Sequence, residues 1–315
     1  MHANQTAMKY FIIRGISDVP NIQMMVFFLV LMFYLITLAG NMTIFILICL
    51  DHHLHTPMYC FLANLSLVDI SCSTITLNKI LTSFIIRDKT VSYPSCMAQL
   101  YMFGSLTGHE LLILTAMSYD RFVAVCNPLR YHVLMCNRTC TLLGATCWLV
   151  GFLQAIPPFV ILYSFSCYSS NEVNHFFCDI ILLTKISCDD TSFFELVFFI
   201  EGILVNVLPF LLTFIPYVFI IVAILKIHSN HGRRKAFYTC SSHLAVVILL
   251  YTTLMSQYLT PNLKSSLDSK KLLALFNTAA VPMLNPVIYS LKNKDVNIAL
   301  TRGLGKLRTS WLKQT

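Results

Sequence analysis

Long apolar stretches alternate with short polar ones along the whole chain. From Met24 to Leu50 no charged residue interrupts the run, which exceeds the roughly 20 apolar residues that a helix needs to cross a bilayer core. Six more runs of spanning length follow, at about 57–84, 95–124, 140–163, 194–225, 236–260 and 272–291. Acids break three of them: Asp69 in the second, Glu110 in the third, and Glu195 with Glu201 in the fifth. Prolines inside the runs (Pro157, Pro158, Pro209, Pro216, Pro282 and Pro286) are compatible with membrane helices, where neighbours re-satisfy the freed backbone groups. The pattern predicts an all-α membrane protein. A bundle of seven transmembrane helices over 24–291 is flanked by a polar segment over 1–23 and a short tail over 292–315.

Composition agrees. Of 315 residues, 57% are hydrophobic and only 11% charged, with a mean hydropathy of +0.71. A water-facing surface usually requires about a quarter charged residues. The net charge of +8 does not indicate nucleic acid, because the excess bases gather in loops on one side. The first run is too long for the core of a cleavable signal, so it reads as a spanning helix that doubles as a signal anchor. In the tail, Val296, Leu300, Leu304, Leu307 and Trp311 recur at helical spacing between bases. This predicts an amphipathic helix on the membrane lipid surface.

Loop charge sets the orientation. With the N-terminus extracellular, the inner segments hold Arg121, Arg130, Arg138, Lys226, Arg233, Arg234 and Lys235 besides the basic tail, against Asp51, Asp120 and Asp295. The outer segments are richer in acids, as the positive-inside rule requires. Asn4-Gln5-Thr6 is a glycosylation sequon on the same outer side. Four of the twelve cysteines, Cys96, Cys167, Cys178 and Cys188, also fall there, where oxidation is possible. Their spacing alone allows three pairings.

At the inner end of the third run Asp120 and Arg121 stand side by side, an unfavourable pair unless it sits at the aqueous boundary. Further motifs accompany it. Leu54-His55-Thr56-Pro57-Met58-Tyr59 leads into the second run, and Met117 to Tyr131 surrounds the charged pair. Lys235-Ala236-Phe237 and Thr239-Cys240-Ser241-Ser242-His243-Leu244 open the sixth run, and Pro282-Met283-Leu284-Asn285-Pro286-Val287-Ile288-Tyr289-Ser290 closes the seventh. In this order the chain resembles the olfactory receptors among the rhodopsin-like G-protein-coupled receptors, with matches from about Gly40 to Ala299. The short outer loop at 261–270 resembles the tetrapod-type (class II) branch.

The resemblance implies a plasma-membrane odorant receptor without catalytic residues, which binds a small volatile molecule. Its partner would be a heterotrimeric G protein of the stimulatory olfactory type that raises cyclic AMP. Arg121 would pair with Asp120 at rest and turn toward Tyr217 and Tyr289 when active, with His243 part of the same switch. The disulfides implied are Cys96–Cys178 and Cys167–Cys188. Where the family usually has Ala, Tyr and Ile, this chain has Ser118, Phe122 and Val125, and it has Pro216 and Tyr238 in place of Ser. Pro216, directly before Tyr217, bears on the inner end of the fifth helix.

Asp69 and Glu110 lie at mid-membrane, where an ionised group costs about 2.5–3.5 kcal/mol, so both should face the bundle interior near Asn41 and Asn285. Two close acids share a cation or hold a proton. The resemblance points to sodium at Asp69, and a sodium- or proton-linked brake on activation is expected. No other cofactor and no metal site is expected, since a disulfide-bonded Cys178 withholds its thiolate from the His175-Phe176-Phe177-Cys178-Asp179 stretch.

Helical turns counted outward from Arg121 place Phe103, Gly104, Thr107 and Gly108 at the level of a ligand pocket. Gly202, Val205 and Asn206 match them on the fifth helix, Tyr251 and Tyr258 on the sixth and Thr278 on the seventh. Such a lining, apolar with a few hydrogen-bonding groups, suits a small volatile molecule. Glu201 is peculiar to this chain, because relatives usually carry a small or apolar residue there. It would select an amine, remain protonated and donate a hydrogen bond to a carbonyl, or reach water or a polar neighbour. His109 is expected to face a neighbouring helix, and Arg233, Arg234 and Lys235 to form a loop touching G protein or lipid. An ion-coupled transporter, the competing class, lacks a repeated half with broken helices. An enzyme lacks converging catalytic side chains.

Overall fold

A computed structural model describes residues 8–17, 19–227, 229–258, 267–291 and 295–302. Three long helices come first: α1 (Pro20–Leu50), α2 (Pro57–Ile86) and α3 (Tyr93–Cys126). A short α4 (Tyr131–Leu134) precedes the fourth span, which is broken into α5 (Asn137–Gln154) and α6 (Ile156–Tyr163) at Pro157 and Pro158. The long loop after it carries α7 (Ile180–Ile186). The fifth span comprises α8 (Ser192–Gly202), a π turn over Ile203–Val207 and α9 (Leu208–Leu225). The sixth is α10 (Asn230–Tyr258). The seventh repeats the fifth's construction, with α11 (Leu267–Leu275), a π turn over Phe276–Ala280 and α12 (Val281–Leu291). A last helix, α13, covers 295–302.

Both π turns end two residues before a proline, Pro209 or Pro282. Proline has no N–H for the carbonyl four residues earlier, and its ring crowds that carbonyl. A widened turn relieves the crowding, and side chains from neighbouring helices replace the lost donors. Pro282 orphans the Thr278 carbonyl, which accepts from Ser73 Oγ at 3.3 Å. Pro286 orphans the Pro282 carbonyl, which accepts from Asn41 Nδ2 at 3.1 Å. The proline ring of Pro286 also lies against Gly40, where an added Cβ would come within 2.8 Å of it. Despite Pro216, α9 continues unbroken to Leu225.

α3 is the central post and packs against α2, α5 and α9. Among the described residues, five helical spans are long and apolar enough to cross a membrane on composition alone; α3 and α10 are not among them. Those two carry the polar residues of the motifs, including His109, Glu110, Asp120 and Arg121 on α3. Large apolar side chains such as Met25, Phe28, Leu211 and Val218 point outward, as a hydrocarbon solvent allows.

Departures from the expected layout appear at both ends. At the end holding Cys96, hereafter the disulfide end, a small sheet forms that the helical pattern did not announce. β1 (Tyr10–Ile13) pairs antiparallel with β2 (Thr90–Ser92) and parallel with β3 (Glu172–Val173). Phe11 and Ile13 alternate inward into a core with Cys96 and Cys178. Gly15, at φ 86°, then turns the chain and donates its N–H to the His175 carbonyl. At the Arg121 end, Arg233 and Arg234 lie on the first turns of α10 rather than in a loop. In α13, Val296 and Ala299 are buried against the bundle, Tyr59 donates to Asp295 at 3.3 Å and Arg302 pairs with Asp51 at 3.6 Å. The helix therefore docks on the protein with the side expected to meet lipid. Leu304, Leu307 and Trp311, the sequon at Asn4 and most of the 261–270 loop lie outside the described residues.

Candidate functional site

A cavity of about 640 Å³ opens at the disulfide end between α3, α5, α6, α8 and the α7 loop. Phe103, Gly104, Thr107 and Gly108 line it from α3; Glu201, Gly202, Val205 and Asn206 line it from the fifth span. The π turn supplies the last two. Two expected members are elsewhere. Tyr251 is 1% exposed and packs edge-on against Phe210, filling the bundle core between α9 and α10. Thr278 is buried in the seventh span, donating to the Ala274 carbonyl. Helical counting gives their height but not their azimuth, and both turn away from the cavity. Leu254 lines it from α10. The side chain of Tyr258 lies outside the described residues.

The fourth span was not expected to contribute, yet Gln154, Ala155, Pro158 and Phe159 form one wall. Gln154 donates to the Gly104 carbonyl at 3.0 Å and to the Gly151 carbonyl at 3.1 Å. Gly108 is thus partly explained by close approach, because a Cβ there would displace the Gln154 amide, whereas a Cβ at Gly104 would meet only Ala155 at 3.8 Å. A lone glutamine beside Pro157 and Pro158 in an otherwise apolar run was the available signal.

The loop after the fourth span forms the roof. His175, Phe176, Phe177 and Cys178 are all buried. Cys178 is bonded to Cys96, with 5.6 Å between their Cα atoms, and its N–H donates to Gln99 Oε1 at 2.9 Å. Phe177 stacks obliquely on Phe103, 5.2 Å between ring centres. Burial, with Lys271 adding to it, pushes the His175 imidazole down to about 3, so it is neutral. Burial raises the Asp179 carboxyl above its ordinary range; Asp179 caps α7 through the Ile181 and Leu182 N–H groups at 3.0 and 3.2 Å. Cys167 and Cys188 do not form the second disulfide expected; both are free thiols. They flank the antiparallel bridge between Tyr168 and Ser187, where the Cys188 N–H donates to the Cys167 carbonyl at 2.9 Å.

Deeper in the bundle, Asn285 Nδ2 donates to both Asp69 oxygens at 3.1 and 2.9 Å. Asp69 is 1% and Glu110 6% exposed. Ser66 Oγ, Glu110 Oε1 and Asn285 Oδ1 are buried with no hydrogen-bond partner among the described residues. Asn41, expected in this group, instead serves the backbones of α1 and the seventh span, donating to the Thr37 and Pro282 carbonyls. Proline chemistry in the seventh span claims it. Beside Glu110, His109 stacks on Trp148 of α5 with ring centres 4.1 Å apart.

At the far end of α3, Arg121 Nε and Nη2 donate to Asp120 Oδ2 at 3.0 and 2.5 Å. Asp120 is fully buried, and Tyr131 donates to its other oxygen at 2.8 Å. Tyr217 does not meet Arg121; its hydroxyl is bonded to His243 Nδ1 of α10. Tyr217, Ile220, Ile224 and Cys240 close the inner seam together with Phe122 and Val125. The substituted ring at Phe122 faces Phe219 edge-on at 6.0 Å. The side chain of Tyr289 lies outside the described residues.

Comparison with known proteins converges on one family. A family model described as "Olfactory receptor" matches residues 29–306. The human protein "Olfactory receptor 2A25" is 44% identical over 310 residues, covering 98% of this chain and 100% of its own length. The mouse protein "Olfactory receptor 5G9" is 42% identical over 305 residues, 97% of each chain. The dog "Olfactory receptor-like protein OLF3" is 40% identical over 304 residues, 96% of each.

Proposed function

The chain belongs to the olfactory receptor family, and from that premise we propose that it binds small volatile molecules in the α3–fifth-span cavity and signals through a stimulatory olfactory-type G protein that raises cyclic AMP. It is a multi-pass membrane receptor of a non-enzymatic class. In this reading the disulfide end is extracellular and the Arg121 end cytoplasmic. One observation carries the proposal: α3 forms both the cavity wall at Phe103 and Thr107 and the charged latch at Asp120 and Arg121. A ligand that fits the cavity better in one bundle arrangement shifts the population toward it, and differential affinity is the whole requirement. The favoured arrangement separates α10 from α3 and α9, breaks the Tyr217–His243 contact and frees Arg121 for the G protein.

Cells expressing the chain should raise cyclic AMP in response to members of a volatile panel. Arg121→Ala should abolish the response at unchanged surface level. A response of full size in that variant refutes the coupling step.

The three unpartnered oxygens around Asp69, on Ser66, Glu110 and Asn285, favour a second element. A sodium ion or a bound proton held by Asp69 and Glu110 acts as a brake. The donor set fits, since oxygen ligands suit a hard cation and the buried carboxylates need neutralising. Unchanged sodium sensitivity and basal signalling in Glu110→Gln would eliminate the brake. The Cys96–Cys178 bond and glycosylation at Asn4 belong to the same outer-face reading. Non-reducing peptide mapping and glycosidase treatment check these assignments.

A further inference from the structure

Among the described residues, four carboxylates line the cavity, on Asp179, Asp189, Glu195 and Glu201, and one base does, Lys185 on α7. Three of the acids have hydrogen-bond work in the fold. Asp179 caps α7. Asp189 accepts from the Ser166 and Cys167 N–H groups at 2.8 and 3.0 Å, fixing the loop. Glu195 accepts from the Thr191 hydroxyl at 2.9 Å.

Glu201 differs. It sits two residues before the π turn of a spanning helix, and its Oε2 is buried with no hydrogen-bond partner among the described residues. Beside it Gly202 leaves open space, with nothing within 4 Å of the position a Cβ would take. The surrounding walls are aromatic and aliphatic, with Phe103, Phe159, Phe198, Phe199 and Val205 among them.

A carboxylate at membrane depth without a partner is unfavourable, and a cation that arrives with its own apolar body removes that penalty. The preponderance of acids over bases gives the cavity a negative field that concentrates cations. A neutral hydrogen-bond acceptor gains nothing from that field, which disfavours a carbonyl ligand. We infer that Glu201 is the counter-ion of a small protonated amine whose hydrocarbon portion fills the aromatic walls, so that amines are the preferred ligand class. The inference rests on the odorant-receptor reading for its site and adds the chemistry the site selects.

The test uses the full-length receptor as wild type, Glu201→Gln and Glu201→Asp. The probes are hexylamine with hexanol and hexanal, and 2-phenylethylamine with 2-phenylethanol. Cyclic AMP in cells and thermal stability of the purified protein are both read. A charge-assisted hydrogen bond predicts that amines act on wild type at about tenfold lower concentration than their alcohols or more. Glu201→Gln should lose that preference, so that amines and their alcohols act at similar concentrations, and Glu201→Asp should retain part of it. The same ranking in wild type and Glu201→Gln overturns the inference, as does a preference for hexanal or an amine that changes neither signal nor thermal stability. Amines that stabilise wild type but not Glu201→Gln, with no cyclic AMP from any probe, uphold the inference and defeat the signalling reading. Signalling by neutral probes alone does the reverse.

Discussion

At one end of α3, Asp120 receives two bonds from Arg121 and one from Tyr131, and no oxygen of that carboxylate is left over. At the other end, the same helix presents two glycines and a phenylalanine to a cavity of about 640 Å³ whose Glu201 oxygen has no partner. The first end is held by paired charge over a small contact seam; the second is held by a roof tied down through Cys96–Cys178 and leaves its polar capacity unspent. The contrast separates two jobs. A latch must be fully satisfied to be stable until something displaces it. A binding site must withhold satisfaction until a ligand supplies it.

Removing the roof's tether should break the contrast most severely. Cys178→Ser should lower stability by about 2–5 kcal/mol, seen as lost surface expression and lost ligand response, while the Arg121 end keeps its local contacts. Releasing the latch comes next. Asp120→Asn removes the acceptor for a charge-assisted pair worth about 2 kcal/mol, and basal cyclic AMP should rise severalfold; unchanged basal signalling would mean that the pair is a boundary marker only.

Acidity should then act on the roof alone. His175 is held well below its unfolded value of about 6.5, so the unfolded chain takes up a proton that the folded chain refuses. Stability should fall by about 1.4 kcal/mol per pH unit as pH drops below about 6.5. Asp179, raised by burial, works in the opposite direction once its folded carboxyl protonates. Thermal scans of wild type and His175→Phe from pH 7 to 5 compare the two slopes, and equal slopes would remove His175 from the account. Ser73→Ala strips the donor from the Thr278 carbonyl that Pro282 orphans and should cost about 1 kcal/mol, a loss felt midway between the two ends. The smallest effect belongs to Arg14→Ala at the rim. Its bond to Glu172 is half exposed on both sides, and about 0.5 kcal/mol is the expected loss.

The bundle was legible in the sequence because five spans declare themselves through composition and the third and sixth through the motifs they carry. Asp120 with Arg121 was legible because two adjacent charges ending an apolar run have few places to go. The cavity was half legible: counting turns along α3 found Phe103 and Thr107, and Glu201 stood out as an acid in an apolar run. Tyr251 and Thr278 were misplaced because depth along a helix says nothing about which neighbour it faces. Gln154 was missed because the turns were counted on the third, fifth, sixth and seventh spans, whereas the fourth span reaches the cavity at its break, where α5 ends at Gln154 just ahead of Pro157 and Pro158. The sheet at the disulfide end was missed because strands of two to four residues are too short for an alternation to register, and their pairing joins segments about 80 and 160 residues apart in sequence.

The sequence by itself determined that this chain lives in a membrane, how many helices cross it, which family it belongs to and where its charged pair stands. Hydrophobicity and motif spacing are local properties, readable one segment at a time. Only the tertiary structure decided that Asn41 serves a proline-freed carbonyl instead of Asp69, that α13 turns Val296 into the bundle, and that one acid of four in the cavity is left without work. Each of those outcomes is a competition among groups distant in sequence for the same partner, and it is settled by which of them the packing brings within reach.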